Sequence, residues 1–194
     1  MVITLIDIQR ENRNRKSVLF RWILVAPVAV LIGLMTQTVH WGITTTVICL
    51  PVVLTLLFRG IYPSWLLGYN HAIMEFSTRI AAYIFLLTDE YPSLERNEKI
   101  AVIFPDIEGG KKLSRGLPVV KWIFAIPLMI VGCIYLLLSL IATLIAWIIT
   151  SATGTYPEFA LSLVYGTIIY WNRVLGYCVA LVSDDYPPFT LSLN

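Results

Sequence analysis

Polar and apolar positions along this chain fall into long blocks rather than short alternations. Val18 to Phe58 contains a single charged residue, Arg21, and Leu117 to Tyr156 contains one, Lys121. Runs of about 20 apolar residues are long enough to cross a bilayer. The first block breaks at "TQTVHWG" (Thr36 to Gly42), which predicts the tip of a helical hairpin flanked by spans of roughly 18 and 16 residues. The second block has no polar tip. One helix from Pro118 to Ile149 would be about 48 Å long, well beyond a hydrocarbon core of about 30 Å. A tight hairpin turning near "GCIYLLLS" is the preferred reading, with a single span as the alternative. Four spans or six remain open.

Each block ends on the same punctuation, "GIYP" (Gly60 to Pro63) and "GTYP" (Gly154 to Pro157). Gly60 and Gly154 suit the residue after a helix, where a positive φ is often needed. Tyr62 and Tyr156 precede proline and so avoid the helical region. Pro63 and Pro157 suit the first position of a new helix. The two tyrosines are expected at headgroup depth, where an aromatic ring with a polar tip is favoured. A mixed helix follows each stop. Within Trp65 to Thr88, His71, Glu75 and Arg79 recur every four residues as one polar stripe, and Glu75 before Arg79 is the favourable order for a pair. This helix either lies in the membrane interface or crosses with its stripe turned to a protein core or pore. Phe159 to Ser183 keeps Arg173 but carries Ile169 where the matching acid would stand.

These echoes describe a duplication. "RWILVAP" (Arg21 to Pro27) answers "KWIFAIP" (Lys121 to Pro127), and "TDEYP" (Thr88 to Pro92) answers "SDDYPPF" (Ser183 to Phe189), in the same order. The expected architecture is an all-α integral membrane protein built as a tandem repeat. Each half is a transmembrane helical hairpin followed by an amphipathic or interfacial helix. Residues 1–17 form a basic cytoplasmic N-terminus, 18–95 the first repeat, 96–116 a polar linker and 117–194 the second repeat. Pro27 and Pro127 fall inside spans, where membranes tolerate them.

Composition agrees with this class. The chain is 58% hydrophobic and 13% charged, against about 25% charged residues in soluble domains. "RENRNRK" (Arg10 to Lys16) and "KKLSRG" (Lys111 to Gly116) flank the two blocks, and basic flanks favour the cytoplasmic side. Both termini are therefore expected to be cytoplasmic. These clusters are short and lack interleaved aromatics, which argues against nucleic acid as a partner. The first apolar run is too long for a cleaved signal peptide and is expected to stay as an anchor. Cys49, Cys133 and Cys178 are scattered through apolar runs and read as small buried hydrophobes.

Two arginines in apolar helices need partners, because an unpaired charge near hydrocarbon is costly. Crossed pairs between the repeats, Arg79 with Asp184 and Arg173 with Asp89, are one reading. Contact of both arginines with lipid phosphates is the other.

With these phrases assembled, the chain resembles the bacterial membrane-protein family DUF4389, a domain of unknown function. The likeness covers both halves and is most specific in "DDYPPF" (Asp184 to Phe189); Ser93 departs from it in the first copy. It implies units that associate with one another in the bacterial cytoplasmic membrane, and it brings no activity, cofactor or catalytic residue. The residues agree: no nucleophile elbow, His-Glu-x-x-His pair or complete phosphate-binding loop is present, and His40 and His71 fall in different segments. No enzyme, cofactor or metal site is expected. The first functional expectation is an accessory or scaffold subunit, in contact with lipids and with a protein partner or its own copies. The alternative is a small oligomeric channel or transporter lined by the His71, Glu75 and Arg79 stripe, as repeat interfaces are in transporters.

Overall fold

The computed structural model describes residues 1–11, 13–36, 43–93, 95 and 99–191. Residues 37–42 of the predicted hairpin tip, His40 among them, lie outside the described residues. In chain order the elements are β1 (Ile3–Ile6), α1 (Arg15–Leu19), α2 (Arg21–Thr36), α3 (Ile43–Arg59), α4 (Ser64–Ile84), β2 (Ile100–Ile103), a 3-10 turn (Glu108–Gly110), α5 (Leu117–Thr153) and α6 (Glu158–Cys178).

The Gly-x-Tyr-Pro stops behave as local chemistry dictates. Gly60 and Gly154 end α3 and α5 with φ of 62° and 79°. Pro63 and Pro157 then take extended conformations as N-caps of α4 and α6, one step before the expected first helical position. Tyr62 and Tyr156, expected at headgroup depth, turn inward instead and are buried. Their rings pack in two different core clusters.

The hairpin expected within the second block is not formed. α5 is one helix of 37 residues, about 55 Å long, and it is long and apolar enough to cross a membrane. The reason lies in its small residues. Ala125, Gly132, Ser139 and Ala146 recur every seventh position and are all buried in the helix face that meets α6. Gly132 is part of this contact rather than of a turn: a Cβ there would stand 3.0 Å from the Trp171 ring. Ser139 and Thr167 share a hydrogen bond of 2.7 Å across the same seam. Small residues let helices approach closely where no water drives them together. Large side chains on the other faces, among them Ile123, Ile130, Leu137 and Ile148, remain exposed. Pro127 sits inside this helix, as Pro27 does in α2. Cys49 and Cys178 are buried as expected, whereas Cys133 is exposed on α5.

The fold is also not wholly helical. β1 and β2 pair antiparallel, Ile3 opposite Ile103 and Ile6 opposite Ile100. Side chains alternate across the ribbon. Thr4, Ile6, Ile100 and Val102 face inward, while Ile3, Leu5 and Ile103 face out. β2 packs on α4 and β1 on α6. The N-terminal segment and the linker are therefore structural parts of one assembly. Ile107 and Leu113, past β2, are buried with Tyr62 in the same cluster.

Candidate functional site

The chain reverses after α4 and after α6 through a leucine in the left-handed region, Leu86 at φ 65° and Leu181 at φ 56°. Both are fully buried. After α4 the Leu87 N–H reaches the Ala82 carbonyl at 2.8 Å, the bond of a Schellman ending, with leucine where glycine usually stands. A bulky residue at positive φ is uncommon. Here it turns Asp89 and Asp184 back toward the basic residue that opens each long helix.

Asp89 receives two guanidinium groups. Arg21 Nη2 donates to Oδ1 at 2.5 Å and Arg13 Nη1 at 2.7 Å, while the Asn14 N–H donates to Oδ2 at 2.9 Å. Arg21 also donates to the Tyr83 carbonyl at 2.8 Å and lies 4.4 Å from the Tyr83 ring centre. Arg13 donates further to the Leu86 carbonyl. Both arginine side chains are almost wholly buried.

The contacts at Asp184 have the same form with one cation. Lys121 Nζ stands 2.8 Å from Oδ1 and donates to the Ser183 carbonyl at 2.8 Å; the Ser114 N–H donates to Oδ2 at 2.6 Å. Lys121 lies 5.1 Å from the Tyr177 ring centre. Edge-to-face pairs complete both clusters, Tyr83 with Tyr91 and Tyr177 with Tyr186. Burial alone would raise the Asp184 pKa. The Lys121 ammonium and the Ser114 amide outweigh it and hold the carboxyl below its ordinary range.

The two inward tyrosines cross between the halves. Tyr62 Oη donates to the Ala180 carbonyl at 2.6 Å, and Tyr156 Oη donates to the Phe85 carbonyl at 3.1 Å. Their amides bind the linker and the N-terminal segment, Tyr62 N–H to the Gly109 carbonyl at 2.8 Å and Tyr156 N–H to the Arg10 carbonyl at 3.1 Å. Asn70 donates to Tyr62 Oη at 3.0 Å. Burial pushes the Tyr62 hydroxyl up to about 12.

The crossed charge pairs are corrected by these distances. Asp89 is held by Arg13 and Arg21, and Asp184 by Lys121; among the described residues neither pairs with Arg79 or Arg173. Arg79 instead donates to Glu75 Oε2 at 3.0 Å and to the carbonyls of Glu95 at 2.7 Å and Ser93 at 3.2 Å. His71 Nε2 reaches the Val102 carbonyl at 2.6 Å. The stripe of α4 therefore faces the protein, toward β2 and the segment after Asp89. Among the described residues Arg173, only 5% exposed, has no acceptor for Nε or Nη1.

Arg13, Arg21 and Lys121 are the functional residues that sequence reasoning missed as partners. The signal was present: Arg21 and Lys121 open one matched phrase, and Asp89 and Asp184 sit in another. Reading the cations as topology markers hid their pairing.

Chemically, the clusters are locks. Each ties the start of a long helix to the segment following a later one. Among the described residues no group of three His, Cys, Asp or Glu side chains converges as a metal site.

Residues 118–190 match the family model described as a domain of unknown function (DUF4389). The matched segment runs from the start of α5 to just beyond Asp184, Tyr186 and Pro187, so it holds both charges of one lock, Lys121 and Asp184. No curated protein and no solved structure matches the chain.

Proposed function

We propose that this protein is a non-catalytic, multi-pass protein of the bacterial cytoplasmic membrane, made of two copies of one helical unit. It serves as an accessory or scaffold subunit that packs against itself or a larger membrane complex. The observation that carries this reading is the commitment of interior charge to structure. Asp89, Asp184 and Glu75 each bind a cation of this same chain. Fixing the register of packed elements is the best-attested use of a buried charge pair. The apolar side chains that α5 leaves exposed suit lipid or another helix better than water. The duplication is supported by the matching locks, the matching left-handed leucines and the reciprocal tyrosine crossings.

A channel would draw on the His71, Glu75 and Arg79 stripe. Its polar groups are committed to Val102, to each other and to two carbonyls, which weighs against that reading. The test is the native mass of the protein released gently from its own membranes. Larger proteins in fixed ratio are expected. A homo-oligomer alone, conducting solute in proteoliposomes, would replace the accessory reading with the channel.

A further inference from the structure

Arg79 and Arg173 occupy matching steps of α4 and α6, two helices of 21 residues each that both start from a proline N-cap. Glu75, one turn before Arg79, supplies a carboxylate at 3.0 Å. One turn before Arg173 stands Ile169, itself buried. The acids that follow α6 offer no substitute, since Asp184 is held by Lys121 and the Asp185 side chain is 82% exposed. The surroundings of Arg173 on its own helix are tight. Two turns earlier on the same face, Gly166 is so close to Leu191 that a Cβ would stand 2.7 Å from it. Gly176, nearly one turn later, is covered in the same way by Val2. The helix face that carries Arg173 is thus closely covered on either side of it, and among the described residues Nε and Nη1 of its guanidinium have no acceptor.

A buried cation left alone costs several kcal/mol, and arginine does not escape by losing its proton. We propose that Arg173 is the anchor of an oxyanion site, filled by a phosphate or carboxylate group that stands in for the acid that Ile169 displaces. The chemistry is a negatively charged oxygen accepting from the guanidinium, and the group comes either from a free anion or from an anionic lipid headgroup. The lipid source rests on the membrane reading above; the free-anion source does not, so the two can fail separately.

The experiment uses the full chain, stripped of lipid in neutral detergent. Its thermal unfolding is followed with inorganic phosphate, with phosphatidylglycerol and with phosphatidylcholine, and bound lipid is counted by native mass spectrometry. Stabilisation by phosphate alone assigns a free anion. Stabilisation only by phosphatidylglycerol, with one molecule retained per chain, assigns a lipid headgroup. Phosphatidylcholine is expected to give neither. Arg173→Met is expected to weaken binding about tenfold to a hundredfold, the weight of hydrogen bonds to a charged group. Ile169→Glu keeps the arginine and restores the acid, so it is expected to exclude the anion in a protein that still carries the full positive charge. Wild-type protein that binds neither probe, or that binds them as well as Ile169→Glu does, overturns the proposal.

Discussion

Arg79 and Arg173 are the same residue type at the same step of two similar helices, and they live in opposite circumstances. Arg79 has a carboxylate and two carbonyls. Arg173 has comparable burial and two nitrogens without acceptors among the described residues. A single replacement, glutamate in one helix and isoleucine in the other, separates them. The difference teaches that one helix satisfies its arginine within the chain, while the other leaves two guanidinium nitrogens without acceptors among the described residues. The two locks differ in the same direction, with two guanidiniums on Asp89 and one ammonium on Asp184.

The largest effect is expected at the heavier lock. Asp89→Asn leaves two buried guanidiniums without a counter-charge and should cost about 3–5 kcal/mol or more, the range for removing one partner of a buried pair. Asp184→Asn frees one ammonium beside a carboxylate that is more accessible, 20% against 12%, and should cost less. Denaturant unfolding in detergent measures both, and equal losses would erase the asymmetry.

The arginines themselves should differ in sign. Arg79→Met strands the buried Glu75 and should destabilise by about 3–5 kcal/mol. Arg173→Met, in anion-free protein, replaces an unpaired cation with an apolar chain and should be neutral or stabilising by up to about 4 kcal/mol. Losses of the same size at both sites would mean that Arg173 is satisfied within the chain.

Next come the tyrosine crossings. Tyr62→Phe and Tyr156→Phe each leave a buried carbonyl unsatisfied, at about 1–3 kcal/mol. Tyr62 should cost more because its hydroxyl also accepts from Asn70. The smallest effect is acid sensitivity. Asp184 is held below its ordinary pKa in the folded chain, so its contribution is complete above the unfolded value of about 4 and is lost as pH falls through the folded one. The stability curve of Asp184→Asn should be flatter than wild type in that acid window.

Much of this was legible. Gly60 and Gly154 marked the ends of α3 and α5, and Glu75 before Arg79 announced its own pair. The continuity of α5 was not legible from hydrophobicity, because a helix that is apolar all round has no polar face to reveal its period. The period is carried by size instead, through Ala125, Gly132, Ser139 and Ala146. β1 and β2 were missed for a different reason: four residues each, they bury only alternate side chains and gain their meaning from pairing with each other. Nothing in local propensity favours Leu86 or Leu181 at positive φ; burial and the pull of the locks override it. At Arg173 the missing acid was legible, but burial with two nitrogens that find no acceptor among the described residues is a tertiary fact.

The crossing of Tyr62 and Tyr156 has a consequence for how the protein is made. A ribosome delivers β1 well before Ile100–Ile103 exists to pair with it, and delivers the Phe85 carbonyl long before Tyr156 can reach it. Until the second half arrives, the first has an open strand edge and a buried acceptor left waiting. A product truncated near the linker would therefore keep that edge and that acceptor unpaired, and each half is completed only by the other.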